Sequence, residues 1–378
     1  MALIQCAREF CLRHPEVRDV CDIGQMLFGN SRIAWYATAV MFLLNNTFIQ
    51  ALHVVVITRY LNTITGHSTC TMVFAVIGAI VSWVCSLPRT FKALSFGAAA
   101  TAFFTFVSVI LAAAFAAVEG RHGTAGYTPA PTRLLSDGNT GVGGEPIVLI
   151  IPTAGLAFYT GLNAYLNIAY TFIGQITLPS FIAEMKEPND FPKALWAVTI
   201  CEVILFSLVG GVIYGYTGTQ YNSAPAFGSL GNTMYKKVSF SFMIPTLIFL
   251  GVLYASVSAR FVFFRVFEGT RHKTSHTVKG WAVWAGILGV TWAVAFVIAE
   301  TIPFFSELLS LMSALFDSFF GWIFWGTTYI QMRRADMGSA FYSQRGLRGW
   351  IGLIVNLFII VVGFFFLSAG TYVRLSSV

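Results

Sequence analysis

The chain has 378 residues, of which 56% are hydrophobic and only 10% charged, with a mean hydropathy of +0.73. A soluble domain carries roughly 25% charged residues, so this composition excludes a water-soluble globule and calls for lipid around much of the surface. The net charge of +7 and the pI near 9.1 do not indicate nucleic acid, because no soluble basic domain is present to bind one.

The chain opens on a polar stretch, residues 1–32, that carries Glu9, Arg13, Glu16, Arg18, Asp19 and Asp22. It has no apolar run of the kind a signal peptide needs and reads as a cytoplasmic N-terminal segment. A single transmembrane domain follows over 33–373. A helix needs about 20 apolar residues to cross a bilayer, and about nine such segments can be read, near 33–57, 71–87, 96–118, 150–183, 194–217, 239–264, 280–301, 306–330 and 350–373. The alternation of a barrel strand is absent, so the expected class is all-α. The longest polar loop is 119–148. With the N-terminus inside, 17 of the 23 Lys and Arg fall on the cytoplasmic side, which places the C-terminus outside.

Polar side chains at membrane depth cost several kcal/mol unless paired or solvated, which makes them the first candidates for function. In the first span Asn46, Gln50 and His53 recur at helical spacing and share one face, with Asn45 beside them. They could line a solute path or relay a proton, or they could simply hydrogen-bond between helices. Glu202 in the fifth segment and Asp317 in the eighth are buried-carboxyl candidates for carrying a proton. Each could equally be a structural acid. Glu300 reads as a solvated group at the outer interface. Ser256 and Ser258, near Tyr254, are two apart and do not share a face, which suits close helix packing better than an ion site.

The fourth segment is too long for one straight crossing. Gly174-Gln175 lies mid-membrane and Pro179 follows four residues later, so the helix is expected to open near 174–179. Opened helices expose backbone N–H and C=O groups that transporters use to hold a substrate's charged ends. An ordinary proline kink is the alternative. No HExxH, GxSxG, phosphate-cradling loop or His/Cys metal pattern occurs, so no enzyme or bound cofactor is expected. Cys6, Cys11, Cys21, Cys70, Cys85 and Cys201 show no metal-ligand spacing.

Gly174-Gln175, Pro179, Glu184-Met185-Lys186, Pro188 and Phe191-Pro192-Lys193-Ala194 resemble the signature of the amino acid/auxin permease family. Arg13-His14-Pro15-Glu16-Val17, Asp22-Ile23-Gly24, the helix bearing His53, and Ser86-Leu87-Pro88-Arg89-Thr90 are similar to fungal neutral amino-acid permeases. The resemblance covers nearly the whole chain. It implies the inverted-repeat transporter fold of the LeuT-like, amino acid–polyamine–organocation type, driven by a proton gradient. By the same resemblance Tyr170, Thr171, Gly174 and Gln175 would face a neutral amino acid, with Glu184 to Lys193 a cytoplasmic gate.

Family members have about eleven spans, and this chain begins where their second helix ends. Their first, Gly-rich broken helix has no counterpart here, so the expected fold is N-terminally incomplete. Either the gene record lacks exons, the favoured account, or the short chain is real. The implied function is secondary transport of neutral amino acids. The alternatives are a non-transporting receptor or partner subunit, or a carrier of another small solute. The plasma membrane is favoured over the vacuole, and the sequence does not address oligomeric state.

Overall fold

In the computed structural model every regular element among the described residues is a helix. The structure describes residues 17–372 apart from 18, 90, 121–145, 153–154, 173, 175, 220, 222, 224, 274 and 303–304, with backbone alone at 91–95 and 183–184. Gln175, most of the 119–148 loop and nearly all of the Arg13–Val17 motif therefore lie outside the described residues.

The helices are α1 (Val20–Leu27), α2 (Arg32–Thr65), α3 (Thr71–Ser86), α4 (Phe91–Glu119), α5 (Phe158–Thr171), α6 (Leu178–Glu184), α7 (Phe191–Thr217), α8 (Thr233–Val266) and α9 (Val278–Thr301). They are followed by α10 (Phe305–Met337), α11 (Phe341–Gln344) and α12 (Leu347–Gly370). Among the described residues, seven helices are long and apolar enough to cross a membrane: α2, α4 from Phe96, α7 with the preceding turn, α8, α9, α10 and α12. Helix α3, with 16 residues, is shorter but equally apolar, and the expected fourth span is two short helices, α5 and α6. Exposed apolar residues such as Ile200, Val203, Ile204 and Leu208 on α7, or Ile354, Phe358 and Val361 on α12, suit lipid contact and would be untenable in water.

Helices α2 and α8 overrun the limits that hydropathy suggests for identifiable reasons. Helix α2 continues past residue 57 to Thr65, so Arg59 is helical. Hydropathy fades at Arg59, but nothing breaks the backbone until Gly66, whose positive φ of 65° ends the helix. Lys237 then donates to the Ile64 carbonyl at 2.9 Å. Helix α8 begins at Thr233 rather than near 239 because the Asn232 side chain caps it, accepting from the Met234 N–H at 2.8 Å.

The chain divides into two compact units. The first comprises residues 1–45, 157–201 and 306–378. In it α1 is capped by Asp19, which accepts from the Cys21 N–H at 2.9 Å, and Trp35 donates to Asp22 at 3.2 Å. Leu162 and Leu166 of α5 pack on Ala314 of α10, with Phe366 and Ala369 of α12 alongside.

The second unit comprises 46–156 and 202–305. Its centre is α8, which packs on α3, α4 and α9. Polar ties join these helices: Thr105 to Thr246 at 2.8 Å, Ser108 to the Ser239 carbonyl at 2.7 Å, and Trp292 to Ser86 at 3.1 Å. An apolar cluster of Val56 and Ile57 on α2, Ala112 and Ala116 on α4, Ile213 on α7, and Phe240 and Leu247 on α8 packs together in the same unit.

Candidate functional site

The first unit holds the broken helix. Helix α5 ends at Thr171, residues 172–177 are non-helical where described, and α6 starts at Leu178. The break thus begins two residues before the expected opening and ends at Thr177. Pro179 lies in the first turn of α6, where its missing N–H has no helical partner to lose and its fixed φ suits helix entry. Proline here starts the second half and does not kink a continuous helix. Thr177 closes the break by donating its N–H and Oγ1 to the Gly174 carbonyl, at 3.1 and 2.9 Å.

Of the residues that the family resemblance assigns to substrate, Tyr170 is buried and Thr171 exposed, so they point to different sides of α5. The Thr171 hydroxyl donates to the Asn167 carbonyl of its own helix at 3.0 Å. Two further residues join Tyr170 that sequence reasoning missed. Asn163, Asn167 and Tyr170 follow the i, i+4, i+7 spacing of one helix face, and that spacing was the available signal. Asn167 donates from Nδ2 to Ser306 at 2.9 Å. The Oδ1 atoms of Asn163 and Asn167 are buried with no hydrogen-bond partner among the described residues. A buried acceptor left unpaired costs about 1–3 kcal/mol, so this stripe, running to the break, is the place in the first unit where added donors would be most favourable.

Asp317 sits on α10 inside a π-helical stretch, Ser313–Ile323, an uncommon geometry that recurs at functional sites. It is 4% exposed. Trp322 hydrogen-bonds to its carboxyl, and the carboxyl lies against Gly321 so closely that a Cβ there would collide with it. No Lys or Arg is paired with it among the described residues. Tyr165 of α5 lies near it. Tyr165 precedes the break by seven residues, roughly 10 Å of helix rise, so Asp317 flanks the first half-helix and not the break itself.

In the second unit Asn46, Gln50 and His53 do share one buried face. Asn46 donates to Ser258 at 3.0 Å, and Gln50 donates from Nε2 to the Asn46 carbonyl at 3.3 Å. Gln50 Oε1, His53 Nδ1 and Ser256 Oγ are buried without a partner among the described residues. His53 lies beside Gly251, whose missing side chain lets the Trp292 ring approach. Ser256 and Ser258 are both buried although two apart, because the stretch 255–259 of α8 is buried all round. Glu202 stands apart from this set. It is half-buried between exposed Cys201 and Val203.

Among the described residues no group of three or more His, Cys, Asp or Glu could hold a metal. The sequence pattern described as transmembrane amino acid transporter protein matches residues 1–374. The chain is 29% identical over 374 residues to the N amino acid transport system protein of Neurospora crassa, covering 97% of this chain and 73% of that one. It is 28% identical over 365 residues to a transmembrane transporter of Gibberella moniliformis, covering 96% and 72%. A transmembrane transporter of Fusarium pseudograminearum is 28% identical over 361 residues, covering 95% and 70%. A family match over nearly the whole length, on a chain of long apolar helices, identifies a multi-pass membrane transporter and not an enzyme: the protein belongs to the transmembrane amino acid transporter family.

Proposed function

We propose that the protein carries neutral amino acids across a membrane together with protons. The observation that carries this reading is the stripe Asn163–Asn167–Tyr170 ending at the break of 172–177. An amino acid offers an ammonium group to unpaired amide oxygens, and an opened helix is where transporters hold a substrate's carboxylate. The stripe bears no charged side chain, so it gives no counter-ion to an acidic or basic substrate side chain, and that favours a neutral one. The similarity to the amino acid transport system protein of Neurospora crassa supports the same substrate class.

Asp317 is the residue we assign to the proton. It is a deeply buried carboxyl with no cation beside it among the described residues, so a bound proton supplies the missing counter-charge. His53 and Glu202 are the lesser candidates, since His53 lies in the packed interior beside Gly251 and Glu202 on a half-exposed helix surface. The broken helix supports an inverted-repeat, LeuT-like scaffold. The Lys and Arg bias supports a cytoplasmic N-terminus, and the plasma membrane is the setting we favour.

The test is uptake of labelled neutral amino acids by permease-deficient yeast at several external pH values. We expect Asp317→Asn to abolish the rise of uptake at acid pH, and Asn167→Ala to weaken apparent substrate affinity by about tenfold, the loss of one buried polar partner. Uptake by Asp317→Asn with an unchanged pH profile would remove the proton assignment. Competition by charged amino acids as strong as by neutral ones would remove the substrate class.

A further inference from the structure

At one end of the second unit, helices α3, α8 and α9 meet a loop with an excess of cations. Arg89, three residues past the end of α3, lies beneath this loop. Its guanidinium sits 4.5 Å from the Phe263 ring centre, 5.7 Å from Trp281 and 5.9 Å from Trp284. It donates from Nη2 to the carbonyls of His272 and Lys273 at 3.5 and 3.4 Å. Its Nη1 is enclosed near Gly280 without a hydrogen-bond partner. No carboxylate is paired with Arg89 among the described residues, and burial pushes the guanidinium below its usual pKa. A cation with no carboxylate beside it raises the positive potential around it.

The loop it supports adds to that field. Arg271, Lys273 and Lys279 occupy the turn and the start of α9, against a single carboxylate, Glu268. Two ties give the loop its shape: His272 pairs with Thr277 at 2.7 Å, and Thr277 caps α9 by accepting from the Gly280 N–H at 3.1 Å. Apolar groups stand directly beside these charges. Val278 is 89% exposed, and Trp281 is 36% exposed with His276 stacked on it at 5.9 Å. Lysine and arginine next to an exposed tryptophan and valine, at the end of membrane helices, is the pattern of a surface that meets lipid headgroups and the acyl chains just below them. A soluble anion would need the cations but would leave the apolar groups without a use.

We infer that the loop 271–279, with Trp281 beside it, binds the phosphate of an anionic phospholipid. Arg271, Lys273 and Lys279 make the headgroup contacts. Arg89, half-buried, is turned to the loop carbonyls and makes none; it positions the loop through its two carbonyl bonds and contributes its charge. The Lys and Arg bias assigns this end to the cytoplasm, the leaflet in which anionic lipids concentrate. The inference requires a membrane protein but not a particular substrate.

The test uses the full chain in neutral detergent, titrated with phosphatidylserine or phosphatidylcholine, with bound lipid counted by native mass spectrometry. Phosphatidylserine should bind at least tenfold more tightly. Lys273→Gln and Lys279→Gln should each weaken it about fivefold, the share of one cation near a charged lipid surface. Arg89→Gln should weaken it similarly and Arg89→Lys should recover part of the loss. The two lysine variants keep the test decisive should Arg89→Gln fail to fold. Equal binding of the two lipids, or unchanged binding in both lysine variants, would overturn the inference. So would displacement of phosphatidylserine by an equal concentration of inorganic phosphate, which would mark a plain anion site.

Discussion

Glu119 ends α4 and holds the start of α8, and its removal should be felt as stability. The side chain is 7% exposed and accepts the backbone N–H groups of Gly231 at 2.9 Å and Asn232 at 2.7 Å. Asn232 is itself the residue that caps α8. A hydrogen bond to a charged group contributes about 1.5–3 kcal/mol. In Glu119→Ala both are lost and the two donors at the helix entry are left to water, which recovers part of the loss. The net cost should be about 2–3 kcal/mol. For a unit of 150–250 residues each kcal/mol moves the melting temperature by roughly 2–4 °C, so a fall of about 5–10 °C is expected. Glu119→Gln keeps one acceptor and turns an amide N–H toward the other donor, so it should lose at least half as much. The assay is melting of the detergent-solubilised protein followed by size-exclusion chromatography. If Glu119→Ala melts within 1 °C of the parent, the two short bonds do not anchor α8 and the reasoning fails.

Two more perturbations test the second unit. Asn46→Ala, Ser258→Ala and the double variant should show a coupling of about 1 kcal/mol in stability, since the side chains meet at 3.0 Å in the interior; additive effects would mean the bond adds nothing. Gly251→Val places atoms against the Trp292 ring, which lies 2.8 Å from the position of a Cβ, and should lower stability by about 1–3 kcal/mol. Gly286→Val, where nothing lies within 4 Å of such a Cβ, should cost clearly less, and equal losses in the two would argue against close packing of α8 on α9.

Much of this was open to reading from the chain alone, because lipid imposes its constraint locally. Twenty apolar residues in a row, punctuated by polar turns, need no partner to announce a membrane helix, and the helical spacing of Asn46, Gln50 and His53 was enough to put them on one face. Gly174 and Pro179 were enough to announce a break. Its limits were not readable, because a proline can kink a helix or begin one, and only the backbone at Leu178 decides that it begins one here. Asn163 and Asn167 went unnoticed since amides are common in helices, and their distinction lies in what surrounds their Oδ1 atoms. The π-helical turn around Asp317 is likewise invisible in sequence, as it depends on how α10 packs against α5 and α12.

Arg89 shows the same division most sharply. In sequence it is the cation of the Ser86-Leu87-Pro88-Arg89-Thr90 stretch, with nothing to say what surrounds it. The three aromatic rings around it come from residues 263, 281 and 284, and the carbonyls it holds from 272 and 273. Local chemistry along the chain determined that the protein lives in lipid, where its helices run and that one of them opens. Which polar atoms end up buried without partners, and which cations gather at one surface, was decided only when distant helices packed, because burial and electrostatic neighbourhood are properties of the folded arrangement and not of any single segment.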